Sequence, residues 1–123
     1  MNVEKKVIFH LKKALFYLPD YPEALLELCN IYFDNNLNEE AEKLLGNYNK
    51  TNQTVGYIEA LISMNKGNYD DASDKLSKII TENSELTYLK TARELETKRN
   101  NKRNLSKYLE MLVDRVPENG WYH

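Results

Sequence analysis

Three short turns recur along the chain, Asn36-Leu-Asn-Glu-Glu-Ala41, Gly67-Asn-Tyr-Asp-Asp-Ala72 and Asn100-Asn-Lys-Arg-Asn-Leu105, spaced by 31 and then 33 residues. A fixed period of this length marks a repeat architecture, in which each unit is one supersecondary element that cannot bury its apolar face alone. Pro19 and Pro117 keep the same step, lying 98 residues apart, close to three periods. Each period predicts two antiparallel helices: a turn residue, then an aromatic or polar residue, then a small residue three places on that seats the second helix against the first. Only four glycines and three prolines occur in 123 residues, far fewer than a turn-rich β fold or a disordered linker consumes. No β-alternating run competes with the helical pattern.

Helix start and stop signals divide the chain into helices over 3–18, 22–35, 38–50, 54–66, 68–82, 85–99 and 102–116. Leu18-Pro19 ends the first, because proline disfavours helical geometry in the residue before it. Pro22 suits the first turn of the second, where its missing N–H is no loss. Asn38, Asn68, Ser84 and Asn101 or Asn104 are the expected N-caps. Glu39-Glu40 and Asp70-Asp71 place negative charge at the positive ends of two helix dipoles. Val3, Val7, Leu11, Ala14, Leu15 and Leu18 fall on one face of the first helix. The expected architecture is therefore an all-α solenoid, or superhelix, of antiparallel helix pairs.

On these residues the chain resembles the tetratricopeptide repeat family over nearly its whole length. Ala14-Leu-Phe-Tyr-Leu-Pro19-Asp-Tyr-Pro22-Glu-Ala24 is similar to the family's junction between repeats. Leu25, Leu28, Cys29 and Tyr32 occupy the slots where the family usually has Trp, Leu, Gly and Tyr, and Ala41, Leu45 and Tyr48 follow in the second helix. The next unit keeps Ala60, Gly67, Tyr69, Ala72, Leu76 and Ile79 but departs at Gly56, Glu59 and Ser63, consistent with a one-residue shift of its first helix. Leu89, Ala92, Leu95, Leu105, Leu109, Leu112 and Pro117 carry the match in the third. The resemblance implies a single domain: an N-terminal helix or half repeat (1–19), repeats over 22–52, 54–83 and 85–117, and a tail or the start of a further repeat over 118–123.

It also implies a protein-interaction module whose first helices line a concave groove that takes an extended or helical partner segment. Leu26, Asn30, Phe33 and Asp34, then Tyr57, Leu61, Met64 and Asn65, then Lys90 and Glu94 are the residues expected on that groove. Phe33, Tyr57 and Met64 are the apolar anchors among them. Asn30 matches an Asn of the carboxylate-clamping members of the family, but Leu26 and Tyr57 replace the basic or polar residues expected beside it, which disfavours a C-terminal carboxylate as ligand. A spacer or self-association role through the solenoid ends is the alternative, with Trp121 and Tyr122 as candidate contacts.

Catalysis is not expected. The chain has no phosphate-cradling glycine loop, no His-Glu-x-x-His and no nucleophile elbow, so neither catalytic residues nor a cofactor is assigned. A single cysteine and two distant histidines give no metal-ligand spacing. Cys29 reads as a small buried hydrophobe, and His10 as an ordinary structural or surface residue. The basic run Lys98-Arg99-Asn-Asn-Lys102-Arg103, continued by Lys107, raises nucleic-acid binding as a lesser alternative, but no stacking aromatics are interleaved with it.

The formal net charge of -2 conceals segregation. Residues 1–19 hold four basic residues against one acidic, residues 20–85 five against thirteen, and residues 86–123 eight against five. An acidic middle favours a partner segment with a basic centre. A mean hydropathy of -0.69 and the lack of any long apolar run argue against membrane insertion. Lys12 and Lys13 interrupt what would be the apolar core of a secretory leader, which favours a cytoplasmic location for a chain that is open to being one piece of a longer array.

Overall fold

The computed structural model describes residues 3–49, 52–81 and 84–115. Among the described residues seven helices follow one another: α1 (Val3–Tyr17), α2 (Pro22–Asp34), α3 (Asn38–Leu45), α4 (Gln53–Asn65), α5 (Tyr69–Ile79), α6 (Leu86–Arg99) and α7 (Lys102–Arg115). No strand occurs among the described residues. The fold is all-α, of the helical-repeat class. Its residues divide into two compact units, Met1–Ile58 and Glu59–His123, with the boundary inside α4.

The three recurring turns share one backbone solution. Asn36, Gly67 and Asn100 all adopt positive φ, at 58°, 83° and 56°. Asn and Gly are the residues that enter this left-handed region at least cost. In each turn the next N–H reaches back five residues: Leu37 N to Tyr32 O at 2.7 Å, Asn68 N to Ser63 O at 2.8 Å, and Asn101 N to Glu96 O at 3.0 Å. The left-handed residue's own N–H reaches back three, to Phe33, Met64 and Thr97. This paired pattern satisfies carbonyls that the end of a helix leaves open, and it turns the chain sharply into the next helix.

In the first unit α2 packs between α1 and α3. Ala24, Leu25, Leu28, Cys29 and Tyr32 form the buried face of α2, while Ala41 and Leu45 come from α3 and Leu15 from α1. Val3 and Leu18, expected on the same face of α1, are exposed, while Ile8 is half-buried with Val7 and Leu11. α3 stops at Leu45, earlier than its apolar spacing suggests. Gly46 and Asn47 are weak helix formers, and the chain tightens there into bonds from Asn47 N to Leu44 O and Tyr48 N to Leu45 O. Asn52 then caps α4, its Oδ1 accepting the Thr54 N–H at 2.8 Å and the Val55 N–H at 3.4 Å.

In the second unit α6 packs between α5 and α7. Ala72, Leu76, Leu89, Ala92, Leu95, Tyr108 and Leu112 are its apolar core. Leu105 is half-buried and Leu109 is exposed, so the inward stripe of α7 steps 105, 108, 112 instead of 105, 109, 112. Of the expected caps, Asn101 acts as one, with its Oδ1 accepting the Asn104 N–H at 3.1 Å. Asn38 lies one residue inside α3, and Asn68 occupies the cap position of α5 without a side-chain bond to it. Ser84 sits one residue before the cap of α6, where its Oγ accepts the Thr81 N–H at 2.8 Å.

Candidate interaction surface

α2 has two distinct faces. Opposite its buried stripe, Leu26 and Phe33 are half-buried and Asn30 and Asp34 are exposed, so the spacing 26, 30, 33, 34 collects two apolar and two polar side chains on one side of one helix. In α4 the matching spacing behaves differently. Leu61 and Met64 are half-buried and Asn65 is exposed, but Tyr57 is only 3% exposed and belongs to the core. Val55, Ile58, Ala60, Ile62 and Ser63 are buried as well, so α4 is covered on most of its circumference. The aromatic expected as an open anchor therefore has no accessible ring. Lys90 and Glu94 are exposed one turn apart on α6, where Glu94 also approaches Lys98 at 4.0 Å. Trp121 and Tyr122 lie outside the described residues.

The basic run at the α6–α7 turn is partly an internal structure. Glu96 is 1% exposed, yet both of its carboxylate oxygens are used. Oε2 accepts the Ser73 hydroxyl at 2.7 Å and the Asn104 side-chain amide at 3.4 Å, and Oε1 receives Arg99. Arg99 also donates to Ser73 Oγ at 2.8 Å and, through Nε, to Asp70 Oδ1 at 3.0 Å. Glu96, and then Asp70, hold the guanidinium pKa above its already high ordinary value. One cation of the basic run, Arg99, is thus committed to Asp70 and Ser73 of α5 and to Glu96 of α6. Burial, with the Glu96 charge second, pushes the Tyr108 hydroxyl up as well.

The position of Glu96 recurs. It is the carbonyl partner in the third turn, where Tyr32 and Ser63 serve in the first and second. Ser63 also anchors a polar set, donating to Asp71 Oδ2 at 2.7 Å and accepting from Lys75 Nζ at 3.0 Å, while Lys75 pairs with Asp71 at 2.9 Å. These bonds, Lys75 first and Ser63 second, lower the Asp71 pKa.

Cys29 is fully buried, and desolvation pushes its thiol up to about 12. His10 is exposed, its ring edge-on to Phe9 at 5.5 Å. Among the described residues no group of three or more His, Cys, Asp or Glu side chains is placed to hold a metal ion.

The family model described as a tetratricopeptide repeat matches residues 6–64. This segment belongs to the tetratricopeptide repeats. It takes in most of α1, all of α2 and α3, and nearly all of α4, with the first of the left-handed turns inside it. No curated protein and no solved structure matches the chain. Tetratricopeptide repeats generally mediate protein–protein interaction and are typically non-catalytic. No described helix is long and apolar enough to cross a membrane.

Sequence reasoning passed over one feature of this segment. A pocket of about 650 Å³ lies between the C-terminal end of α1 and the chain that follows α3, lined by residues including Leu15, Phe16, Pro19, Leu44 and Tyr48. The signal was present in the sequence, because Phe16 falls outside the apolar stripe that packs α1 onto α2.

Proposed function

We propose that the chain is a tetratricopeptide interaction module that binds a segment of another protein, extended or helical, through the exposed faces of the first helices of its pairs. The observation that supports this reading most is the second face of α2, where Leu26 and Phe33 stay partly open beside Asn30 and Asp34 although the helix already has a complete buried stripe. An apolar pair flanked by polar groups suits an anchor residue with hydrogen bonds on either side of it. Leu61 and Met64 on α4, and Lys90 and Glu94 on α6, are the corresponding positions of the later repeats. Tyr57 supports α4 from within and makes no direct contact with the partner. Repeats beyond residue 64 are part of the proposal, because the turn at Asn100 repeats the backbone geometry of the turns at Asn36 and Gly67.

Asp34 and the acidic surplus of residues 20–85 suit a partner segment with a basic centre. The test is quantitative capture of partners from the source cell with the immobilised chain and with Phe33→Ala. A ΔΔG of about 1.4 kcal/mol or more, tenfold in affinity, is expected for the anchor. Helicity and melting temperature should stay near those of the parent. Parallel loss of stability and binding would instead make Phe33 a core residue and defeat this reading.

A further inference from the structure

The first two turns of α1 are repeated in its second half. Lys5-Lys6-Val-Ile-Phe9-His-Leu11 is followed at once by Lys12-Lys13-Ala-Leu-Phe16-Tyr-Leu18, a seven-residue repeat with identical residues at four positions. Seven residues fall about 20° short of two full turns, so the repeat keeps each residue type on its own side of the helix. Val7, Leu11, Ala14 and Leu15 point into the first unit, and the phenylalanines point away, with Phe9 56% and Phe16 79% exposed. Phe9 and Phe16 are each within three or four residues of a lysine pair, which makes one continuous stripe of lysine and phenylalanine along the solvent side. Glu4 is the only acidic residue of α1, and its carboxylate accepts the Asn35 amide at 2.8 Å.

The stripe runs into the pocket of about 650 Å³ at its C-terminal end, since Lys12 and Phe16 belong to both. Leu15, Pro19, Leu44 and Tyr48 make the remaining apolar wall, and Asp20 also lines it. Burial raises the Tyr48 pKa, and the Asp20 charge acts in the same direction. The volume is within the ~300–1,000 Å³ range of pockets that take small ligands or anchor side chains.

We propose that this face of α1 is a second docking surface, separate from the face of α2, and that its occupant is an acidic segment of a partner protein that places one apolar side chain in the pocket beside Phe16. Charge complementarity selects the acidic segment, because Lys6, Lys12 and Lys13 flank the phenylalanines with no carboxylate among them. The recess selects a peptide over an anionic lipid surface. A bilayer can meet the outward phenylalanines but leaves a concave apolar pocket unfilled, whereas a peptide side chain fills it. Single-stranded nucleic acid would use the same lysines and stack on the phenylalanines, but it too has no apolar group for the pocket.

The test uses the whole chain and a fluorescein-labelled peptide of alternating glutamate and leucine, with its glutamine-for-glutamate analogue as control. The acidic peptide should bind at low salt and weaken as salt rises, while the analogue does not bind. Lys12→Glu together with Lys13→Glu, and separately Phe16→Ser, should each weaken binding by about tenfold or more, and Phe33→Ala should leave it unchanged. All these side chains except Phe33 are exposed, so circular dichroism and melting temperature should remain those of the parent. Amide shifts on peptide addition should map to α1 and to residues near Tyr48. Absence of acidic-peptide binding at low salt, or binding that ignores both α1 variants, overturns the proposal. So does binding of phosphatidylserine vesicles or of oligothymidine in place of the peptide, or a chain dimer in sedimentation that Phe16→Ser dissolves. The Phe33 capture experiment is independent, so either surface can fail alone.

Discussion

Gly67 shows how much one residue's backbone decides. Its φ is 83°, and a Cβ added there would meet no atom within 4 Å, so the only obstacle to a side chain is conformational. Gly67→Ala should therefore cost about 1–2 kcal/mol, the penalty of the left-handed region for an L residue. Asn36→Gly should be close to neutral, since relief in the turn is offset by greater freedom of the unfolded chain. Urea midpoints of the three proteins check the pair, and a neutral Gly67→Ala would show that the turn relaxes away from positive φ. Cys29 gives a second residue-scale expectation. A thiol that is fully buried and pushed up to about 12 should resist alkylation at neutral pH in the native protein and react once urea unfolds it. The repeat phase exposed both features to sequence reading, because a turn glycine and a small helix-contact residue are tied to fixed positions. Tyr57 was not legible in this way. With Val55, Ile58, Ala60 and Ile62 also buried, α4 is apolar on nearly every side, and periodicity cannot choose an open face on such a helix.

Among the elements, the α5–α6–α7 packing depends on a buried ion pair that helical spacing disguised. Glu96 and Arg99 are three residues apart, which on a sequence reads as a surface pair worth little. Burial of Glu96, and the approach of Ser73 from α5 and Asn104 from α7, make it an internal junction of three helices. Arg99→Met should cost up to about 3 kcal/mol by leaving a buried carboxylate without its cation. The double variant Glu96→Met with Arg99→Met should recover much of that loss, so the coupling term of a double-mutant cycle is the measurement that decides. Strict additivity would remove the pair from the account. Asp71, in the more exposed set with Lys75 and Ser63, links a contact to pH. Because its folded pKa lies below the unfolded value, its contribution is present above the ordinary aspartate range near ~3.9 and is lost as pH falls through the lower folded value. Stability curves of the parent and Asp71→Asn should therefore converge in acid and separate toward neutral pH. Helix order and most boundaries were readable from prolines and turns, whereas α7 placed Tyr108 inward and Leu109 outward. The two residues are adjacent and both apolar enough to pack, so only the contact with α6 distinguishes them.

Across the whole molecule, charge and apolar surface are distributed by region. The basic stripe of α1 and the acidic middle lie in successive parts of the chain, so a total near zero conceals regional surpluses of opposite sign. Binding through the face of α2 and binding through the face of α1 should consequently respond oppositely to the charge of an added peptide, one favouring a basic centre and the other an acidic segment. A peptide-charge series on the parent chain, read separately through Phe33→Ala and Phe16→Ser, is the direct check. The family and the all-α class were legible because a period survives substitution at single positions. The outward stripe of α1 was passed over, because the apolar face of that helix already accounts for its periodicity and leaves its two phenylalanines without a role.

The three left-handed turns also make the chain a set of interchangeable parts. Since Asn36, Gly67 and Asn100 reach the same geometry with the same pair of backbone bonds, the cut points for moving a helix pair are defined by conformation and not by residue identity. Gain or loss of a 31- or 33-residue piece between two such turns would rejoin the chain in phase, leaving both neighbouring joints as they were. Growth by duplication therefore needs no new joint, and divergence of the surfaces can proceed without disturbing the hinges that space them.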